Sequence, residues 1–394
     1  SSPEPLPGRP KIGEASLVRF WAHSIIRTNP GGAHESPTQG SHYRPIGTVY
    51  GRGQLRCQAC FRSTEHEWHL VRAGRVVQWR QERRHFQLQR LSRPYRYRSP
   101  NLFTPVVEAR NANGADKVLL LDAGDNVGGS TFESGSLNDE PTIDVLNAAG
   151  VDANAVGNHE FDKGWKDLAE RIVPHLNSPY LGANVYEKGT TKVAAPLKAS
   201  TIIVKDGVRI GVVGAVTHDL PSLVSPAGIS NLTIGDPVKA VNAEAKRLKS
   251  EGLADVVVAE YHEGAADGSG DAASQGGNFA PVYADTSTDV DVVFNGHTHQ
   301  VYSWKDKAGA PLLQAGSYGQ HLAKVNVAWN SQQKKLCSTG ASFIDPATTP
   351  ADDPTIAKIS SIYDDAKAKS DKAGTTVIGH ETAPITTPSN TSDQ

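Results

Sequence analysis

Apolar and polar positions fall into two regimes along the chain. Up to about Pro100 periodicity is weak, with isolated aromatics scattered among Gly, Pro, Arg, Gln and His, and only residues 75–80, with Val76, Val77 and Trp79, suggest a short strand. From Val118 the pattern becomes regular. The run Val118-Leu119-Leu120-Leu121 predicts a buried strand, ended by Asp122 and the tight loop Gly124-Asp125-Asn126. Asp139-Glu140-Pro141 predicts a helix cap and start, Ile143, Leu146 and Ala149 supply an apolar face, and Gly150 closes the helix. Asn154-Ala155-Val156 predicts a short strand leading into Gly157-Asn158-His159. A helix over residues 164–172 follows, with Trp165, Leu168 and Ile172 on one side. Residues 180–185 read as another strand and loop.

The second half continues with strands and hairpins. Residues 201–204 and 208–213, joined by Asp206-Gly207, predict a hairpin. Asp236-Pro237 caps a helix running to residue 249, whose return strand, residues 255–259, leads to Tyr261-His262-Glu263-Gly264. Residues 264–277, mostly Gly, Ala, Ser and Asp, predict a flexible surface loop. The strand at 290–294 ends in Asn295-Gly296-His297-Thr298-His299, and residues 311–314 and 322–327 add two more strands. Asp353-Pro354 starts a last helix with Ile356, Ile359 and Tyr363 along one face. The Thr-, Pro- and Ser-rich residues 384–394 predict a disordered tail. This order predicts an α/β chain, with parallel or mixed sheets inside and helices outside.

Composition sharpens the division. Arginine is dense up to Arg110 and afterwards occurs only as Arg171, Arg209 and Arg247, whereas Lys11 is the sole lysine before Lys117. The formal net charge of -2 points to neither a nucleic acid nor a membrane surface. No apolar run is long enough to span a bilayer. Cys57, Cys60 and Cys337, an odd count in a long chain, are not a disulfide framework. The start shows no signal peptide, and the absence of methionine is expected of a processed or partial chain. Three chemistries are open to the Arg-rich region: half a zinc site at Cys57 and Cys60 with His66 or His69, nucleic-acid stacking on Trp68, Trp79 and Tyr95, or metal ligands from His23, His34 or His42. The plainer reading is irregular peripheral sequence.

The chemistry concentrates where polar runs follow predicted strands. Asp125, Asn158, His262, His297 and His299 make an oxygen and imidazole ligand set suited to Mn, Zn, Fe or Ni. Two such ions about 3.5–4 Å apart can share a bridging carboxylate and a bridging hydroxide, a strong nucleophile at neutral pH. His297 and His299, two residues apart, face opposite ways on an extended segment but can converge in a Gly-led turn. His159 can stabilise charge on a phosphoryl group or protonate a leaving oxygen, with Asp162 orienting it. Any one of these residues alone is more often a turn former, cap or surface histidine; three clusters, each after a strand, point to one site. Asp122 reads as structural, His218 as a pocket-edge residue, and His175, His321 and His380 as ordinary surface or packed histidines.

Gly124-Asp125-Asn126, Gly157-Asn158-His159-Glu160-Phe161-Asp162 and Gly296-His297-Thr298-His299 resemble the signatures of the calcineurin-like metallophosphoesterases. With Asn147-Ala148-Ala149-Gly150 ahead of the central motif, residues 117–379 resemble the bacterial secreted 5'-nucleotidases. The resemblance implies a four-layer αββα sandwich of two facing sheets flanked by helices. It implies two divalent metal ions, with the Asp125 match bridging them, the Asn158, His262 and His297 matches on one ion, and the His299 match on the other. His159 and Asp162 match the catalytic pair. The implied reaction is metal-dependent hydrolysis of phosphate monoesters, nucleoside 5'-monophosphates above all. The alternatives are a cyclic-nucleotide phosphodiesterase, a nucleotide-sugar hydrolase, or a non-enzymatic metal- or phosphate-binding remnant. The implied partner is a small phosphorylated metabolite, and the implied location is secreted, periplasmic or on the cell surface.

Two departures qualify the match. The family's first strand ends in an Asp-x-His motif, and none precedes Val118, so one metal site is expected to be incomplete and a sheet edge or core gap exposed. The family's carboxy-terminal nucleotide-binding domain is represented by residues 377–379 alone. The expected organisation is therefore an atypical Arg-rich, poorly ordered region at 1–110, a metallophosphoesterase domain at 111–350, a linker helix at 351–374, and the start of a truncated domain or tail at 375–394.

Overall fold

The computed structural model describes residues 15–22, 66–67, 69–72 and 98–376. The stretches carrying Cys57, Cys60, His23, His34, His42, Trp68, Trp79, Tyr95, His380 and residues 75–80 lie outside them. Two sheets form the centre. The first carries parallel strands Ala15–Ala22, Val118–Asp122, Ala153–Ala155 and Tyr180–Leu181, with Leu322–Asn330 and Lys335–Ile344 antiparallel at one side. The second carries parallel strands Val208–Val216, Val256–His262, Val292–Asn295 and Pro311–Ala315, with antiparallel edges Ser200–Lys205 and Val301–Lys305.

Side-chain alternation decides the layers. Leu119 and Leu121 point one way and meet Ile210, Val212, Val256, Val258, Val292 and Phe294 of the other sheet in a shared apolar interior. Val118 and Leu120 point the other way, into a cluster with the helices Glu140–Ala149 and Pro354–Gly374. On the far side Val213, Ala215, Val257, Ala259 and Val293 pack under the helices Pro237–Ser250 and Phe279–Asp285. Helix, sheet, sheet, helix is the expected four-layer αββα sandwich. Asp236 and Asp353 cap their helices as expected, accepting from the backbone N–H of Lys239 (3.0 Å) and Thr355 (2.8 Å).

Several elements depart from the sequence reading. The slot beside Val118–Asp122 is not bare: the backbones of Ala15–Ala22 and His69–Arg72 both pair along it in parallel, Arg19 to Trp21 and His69 to Val71 each opposite Val118 to Leu120, and Ala15–Ala22 also pairs with the Leu322–Asn330 strand. Eight residues, ASLVRFWA, are enough for a strand but too few to register as a periodic segment inside an Arg- and Pro-rich head. A helix spans Arg98–Asn113, across the compositional boundary at 110. Two prolines hide it from a local reading. Pro105 cannot donate to the Asn101 carbonyl four residues earlier, and the N–H of Ala347 (3.0 Å) takes that place. Leu102, Phe103, Val106 and Val107 are buried by it in the outer core. The segment from Gly164 to Ile172 is helical, but a π turn occupies Leu168–Ile172. Asp139 does not cap its helix through its side chain; its carboxylate reaches back to Gly128 instead, as described below. No helix among the described residues is long and apolar enough to cross a membrane.

Candidate metal centre

All the ligand-bearing loops leave the carboxyl ends of parallel strands: Val118–Asp122 and Ala153–Ala155 in one sheet, Val256–His262 and Val292–Asn295 in the other. His262 shares its strand face with Val256 and Val258, so alternation aims it between the sheets. There its Nδ1 lies 2.7 Å from the Ala123 carbonyl, which orients the ring. Nε2 then meets Asp125 Oδ2 at 3.2 Å and Asn158 Oδ1 at 3.1 Å. His297 Nδ1 reaches the same Asn158 oxygen at 2.9 Å. One ligand atom each of Asp125, His262 and His297 lies within 4.8 Å of the others. Asp125 and His262 are buried, 5% and 1% exposed, and His297 is half-buried.

The chemistry of this donor set fits a divalent cation. With Nδ1–H of His262 given to Ala123, the ring's remaining lone pair faces two oxygens, a repulsive arrangement unless a proton or a metal ion lies between them. Burial depresses the His262 pKa, and the Asp125 charge, its hydrogen bond and the Ala123 carbonyl outweigh that and raise it. Burial, reinforced by the neighbouring His262, lowers His297 to about 4, with His299 and His159 adding to the effect. His297 is therefore a neutral imidazole at neutral pH, the form that binds metal.

The loops are built for close approach. A Cβ at Gly157 would lie 2.3 Å from Asp125 Oδ1 and 2.8 Å from His262 Cε1, so only glycine lets this backbone pass. Asp125, His297 and His299 all adopt left-handed backbone, with φ of 65°, 72° and 65°. Non-glycine residues hold that conformation where the surroundings impose it, commonly at functional sites. His159 lies at the mouth, 35% exposed, with Nδ1 2.8 Å from Asp162 Oδ2, while its backbone N–H donates to Asp125 Oδ1 (2.9 Å). His299 stands beside this cluster rather than in it, its ring 6.0 Å from that of Tyr318.

The structure thus brings Asp125, Asn158, His262 and His297 together, sets the His159–Asp162 pair against them, and leaves His299 adjacent. Asp122 is buried and accepts from the Asn126 amide. His218, His175 and His321 contact the Gly235 carbonyl, the Arg171 carbonyl and Asp345. Sequence reasoning missed two carboxylates. Asp139 accepts from Gly128 N–H (3.0 Å) and Ser134 Oγ (2.8 Å), pinning the loop that packs on His159 and Asp162. Glu160 is buried beneath the site and accepts from Asp125 and Gly157 N–H. Burial and the Asp125 charge push its pKa up, while the backbone donors pull it down. Its place inside the central motif is the signal that could have drawn attention to it.

Comparison with known proteins agrees with this geometry. The family model described as Calcineurin-like phosphoesterase matches residues 85–301, more than half of the chain. The chain belongs to the calcineurin-like phosphoesterase family. Among curated relatives it is similar to "Endonuclease YhcR" of Bacillus subtilis (strain 168), 32% identical over 237 residues, covering 57% of this chain and 19% of that protein. It is also similar to "Snake venom 5'-nucleotidase" of Gloydius brevicauda, 28% identical over 57% of this chain and 39% of that one. The chain thus spans well under half the length of either relative. The crystal structure of the calcineurin-like phosphoesterase YfkN from Bacillus subtilis shares the fold, with TM-score 0.60 and 19% identity over 78% of this chain and 99% of that chain. A candidate metal-binding cluster on a calcineurin-like phosphoesterase fold supports metal-dependent phosphoester hydrolysis.

Proposed function

We propose that this chain hydrolyses phosphate monoesters, with nucleoside 5'-monophosphates as the substrate class, at a two-metal site. The observation that carries this reading is the convergence of Asp125, His262 and His297, with both imidazoles on the Asn158 oxygen and the half-exposed His159–Asp162 pair beside them. The relatives named 5'-nucleotidase, from snake venom and from Bos taurus, support the substrate class. Asp125, Asn158, His262 and His297 would hold one ion. Asp125 shared with His299 would hold a second, with part of the family's usual set lacking. Bound ions would polarise the phosphoryl oxygens and acidify a water to near neutral pH.

The chain's own residues do the rest. Asp162 accepts the Nδ1 proton of His159 and fixes the ring; the imidazolium form carries a second proton on Nε2, and its transfer to the departing alkoxide leaves the neutral ring with Nδ1–H still held by Asp162. Asp125 directs Oδ1 toward the His159 amide and Oδ2 toward His262. Asn158 presents its amide oxygen to both imidazoles, the orientation in which it too can serve a bound ion. A secreted, periplasmic or cell-surface location belongs to the same reading.

The test is hydrolysis of AMP by the purified chain with Mn or Zn titrated, and with His159→Ala as control. Metal-dependent turnover that falls by about 100-fold or more in the control, with substrate affinity within a few-fold, is the expected result. No turnover at saturating metal, or equal turnover in the variant, would refute it. A phosphodiesterase reading is favoured by one observation, the name endonuclease carried by the 32% identical relative; cleavage of plasmid DNA in preference to AMP would select it.

A further inference from the structure

Glu160 sits between His159 and Phe161, and both its oxygens are taken up by backbone N–H groups. Oε2 accepts from Asp125 (2.8 Å) and Gly157 (2.6 Å). Oε1 accepts from Asn126 (2.6 Å), more distantly from Val127 (3.3 Å), and from the Tyr180 hydroxyl (3.4 Å). Asp125 to Val127 belong to the loop after the Val118–Asp122 strand, and Gly157 to the loop after Ala153–Ala155. Sheet pairing between those strands ends at Asp122 and Asn154. Beyond that point one carboxylate joins the two loops that deliver Asp125 and Asn158.

The bonds fall where they hold a strained residue. Asp125 has φ 65°, and Glu160 accepts from the amide on each side of its Cα, those of Asp125 and Asn126. A left-handed aspartate is a strained conformer that persists only where its surroundings over-determine it. Four N–H donors also offset much of the desolvation of a fully buried carboxylate. A carboxamide of the same shape cannot replace it: whichever way it turns, its NH2 faces backbone N–H groups, donor to donor.

We propose that Glu160 is a positioning residue for the metal centre. It holds Asp125 in its left-handed conformation and sets the spacing between the Asp125 and Asn158 ligands. Cation affinity and coordination geometry therefore depend on a carboxylate that is not itself a ligand. This inference rests on the metal-site reading above and is tested apart from it.

The experiment titrates the metal-depleted chain with Co2+ alone, reading affinity by calorimetry and geometry from the cobalt absorption spectrum. Thermal midpoints without metal are recorded in parallel. Glu160→Gln is expected to fold, to lose at least about tenfold in cobalt affinity and to shift the spectrum. Leu146→Ala, a core truncation in the Glu140–Ala149 helix, is the control; it is expected to lower the midpoint and leave affinity and spectrum unchanged. If Glu160→Gln does not fold, Glu160→Asp is measured the same way, with the same direction expected. Wild-type affinity and spectrum in a folded Glu160 variant would overturn the inference alone. An equal loss of affinity in Leu146→Ala would overturn it too, by making the effect one of general stability. No cobalt binding by the unsubstituted chain would overturn the metal-site reading and this inference with it.

Discussion

Gly157→Ala is the substitution whose effect the geometry defines most sharply. Gly157 is not one of the left-handed glycines, so alanine meets no backbone penalty there and its effect is steric. The added Cβ would stand 2.3 Å from Asp125 Oδ1, 2.5 Å from Asp125 N and 2.8 Å from His262 Cε1, where ordinary contact begins near 3.4 Å. Something must retreat by about 1 Å, at an overpacking cost of ~1–3 kcal/mol. The crowded atoms are two candidate ligands and the amide that Glu160 holds, so the displacement falls on the site itself. A misplacement of that size costs about 100-fold in rate where catalysis depends on alignment. Calorimetric cobalt titration and metal-dependent AMP hydrolysis, both at saturating protein stability well below the thermal midpoint, measure the two consequences. A folded Gly157→Ala chain with wild-type cobalt affinity and turnover would show that the close approach is incidental, and would refute the inference that this loop was shaped around the ligands.

Three further outcomes are expected. Asp125→Ala should weaken metal binding more than His262→Ala, because Asp125 alone presents two oxygens to the site, one toward His159 and one toward His262; titration with retained stoichiometry in the Asp125 variant would count against a shared ligand. Asp162→Asn should keep the ring contact but lose its charge, lowering turnover by at least about tenfold while cobalt binding stays within a few-fold, since Asp162 touches His159 and not the metal cluster. Arg209→Gln tests a pairing far from the site. Burial pushes the Asp255 carboxyl up, but hydrogen bonds from the Arg209 side chain and backbone outweigh it and hold its pKa below the usual value. A depressed acid contributes stability above its unfolded pKa of about 3.9, and that contribution is lost as pH falls through the folded value. The variant should lose at most about 1 kcal/mol at neutral pH, because solvent screens the half-exposed guanidinium. Its acid-unfolding midpoint should rise, and an unchanged midpoint in a circular-dichroism pH titration would refute the pairing.

What the sequence determined by itself was the alternation of strands and helices from Val118 onward, and the placing of polar runs at strand ends. Both are local signals. The period of Leu119 and Leu121 against Val118 and Leu120 already separates an inner from an outer face, and Asp236 and Asp353 cap within three residues of themselves. The convergence of Asp125, Asn158, His262 and His297 could be anticipated because each follows an apolar run, and loops at strand ends meet in such sheets. What tertiary structure decided was everything that depends on a partner remote in the chain. Glu160 takes its role from amides 34 and 35 residues away, and His262 is oriented by a carbonyl 139 residues away. Asp139 looks like a helix cap from its neighbours alone and becomes a loop tie only because Gly128 folds back to it. The Ala15–Ala22 strand and the Arg98–Asn113 helix are too short or too broken by proline to announce themselves. Backbone pairing with neighbouring strands for the first, and burial with a replacement donor from Ala347 for the second, supply what their own sequences lack.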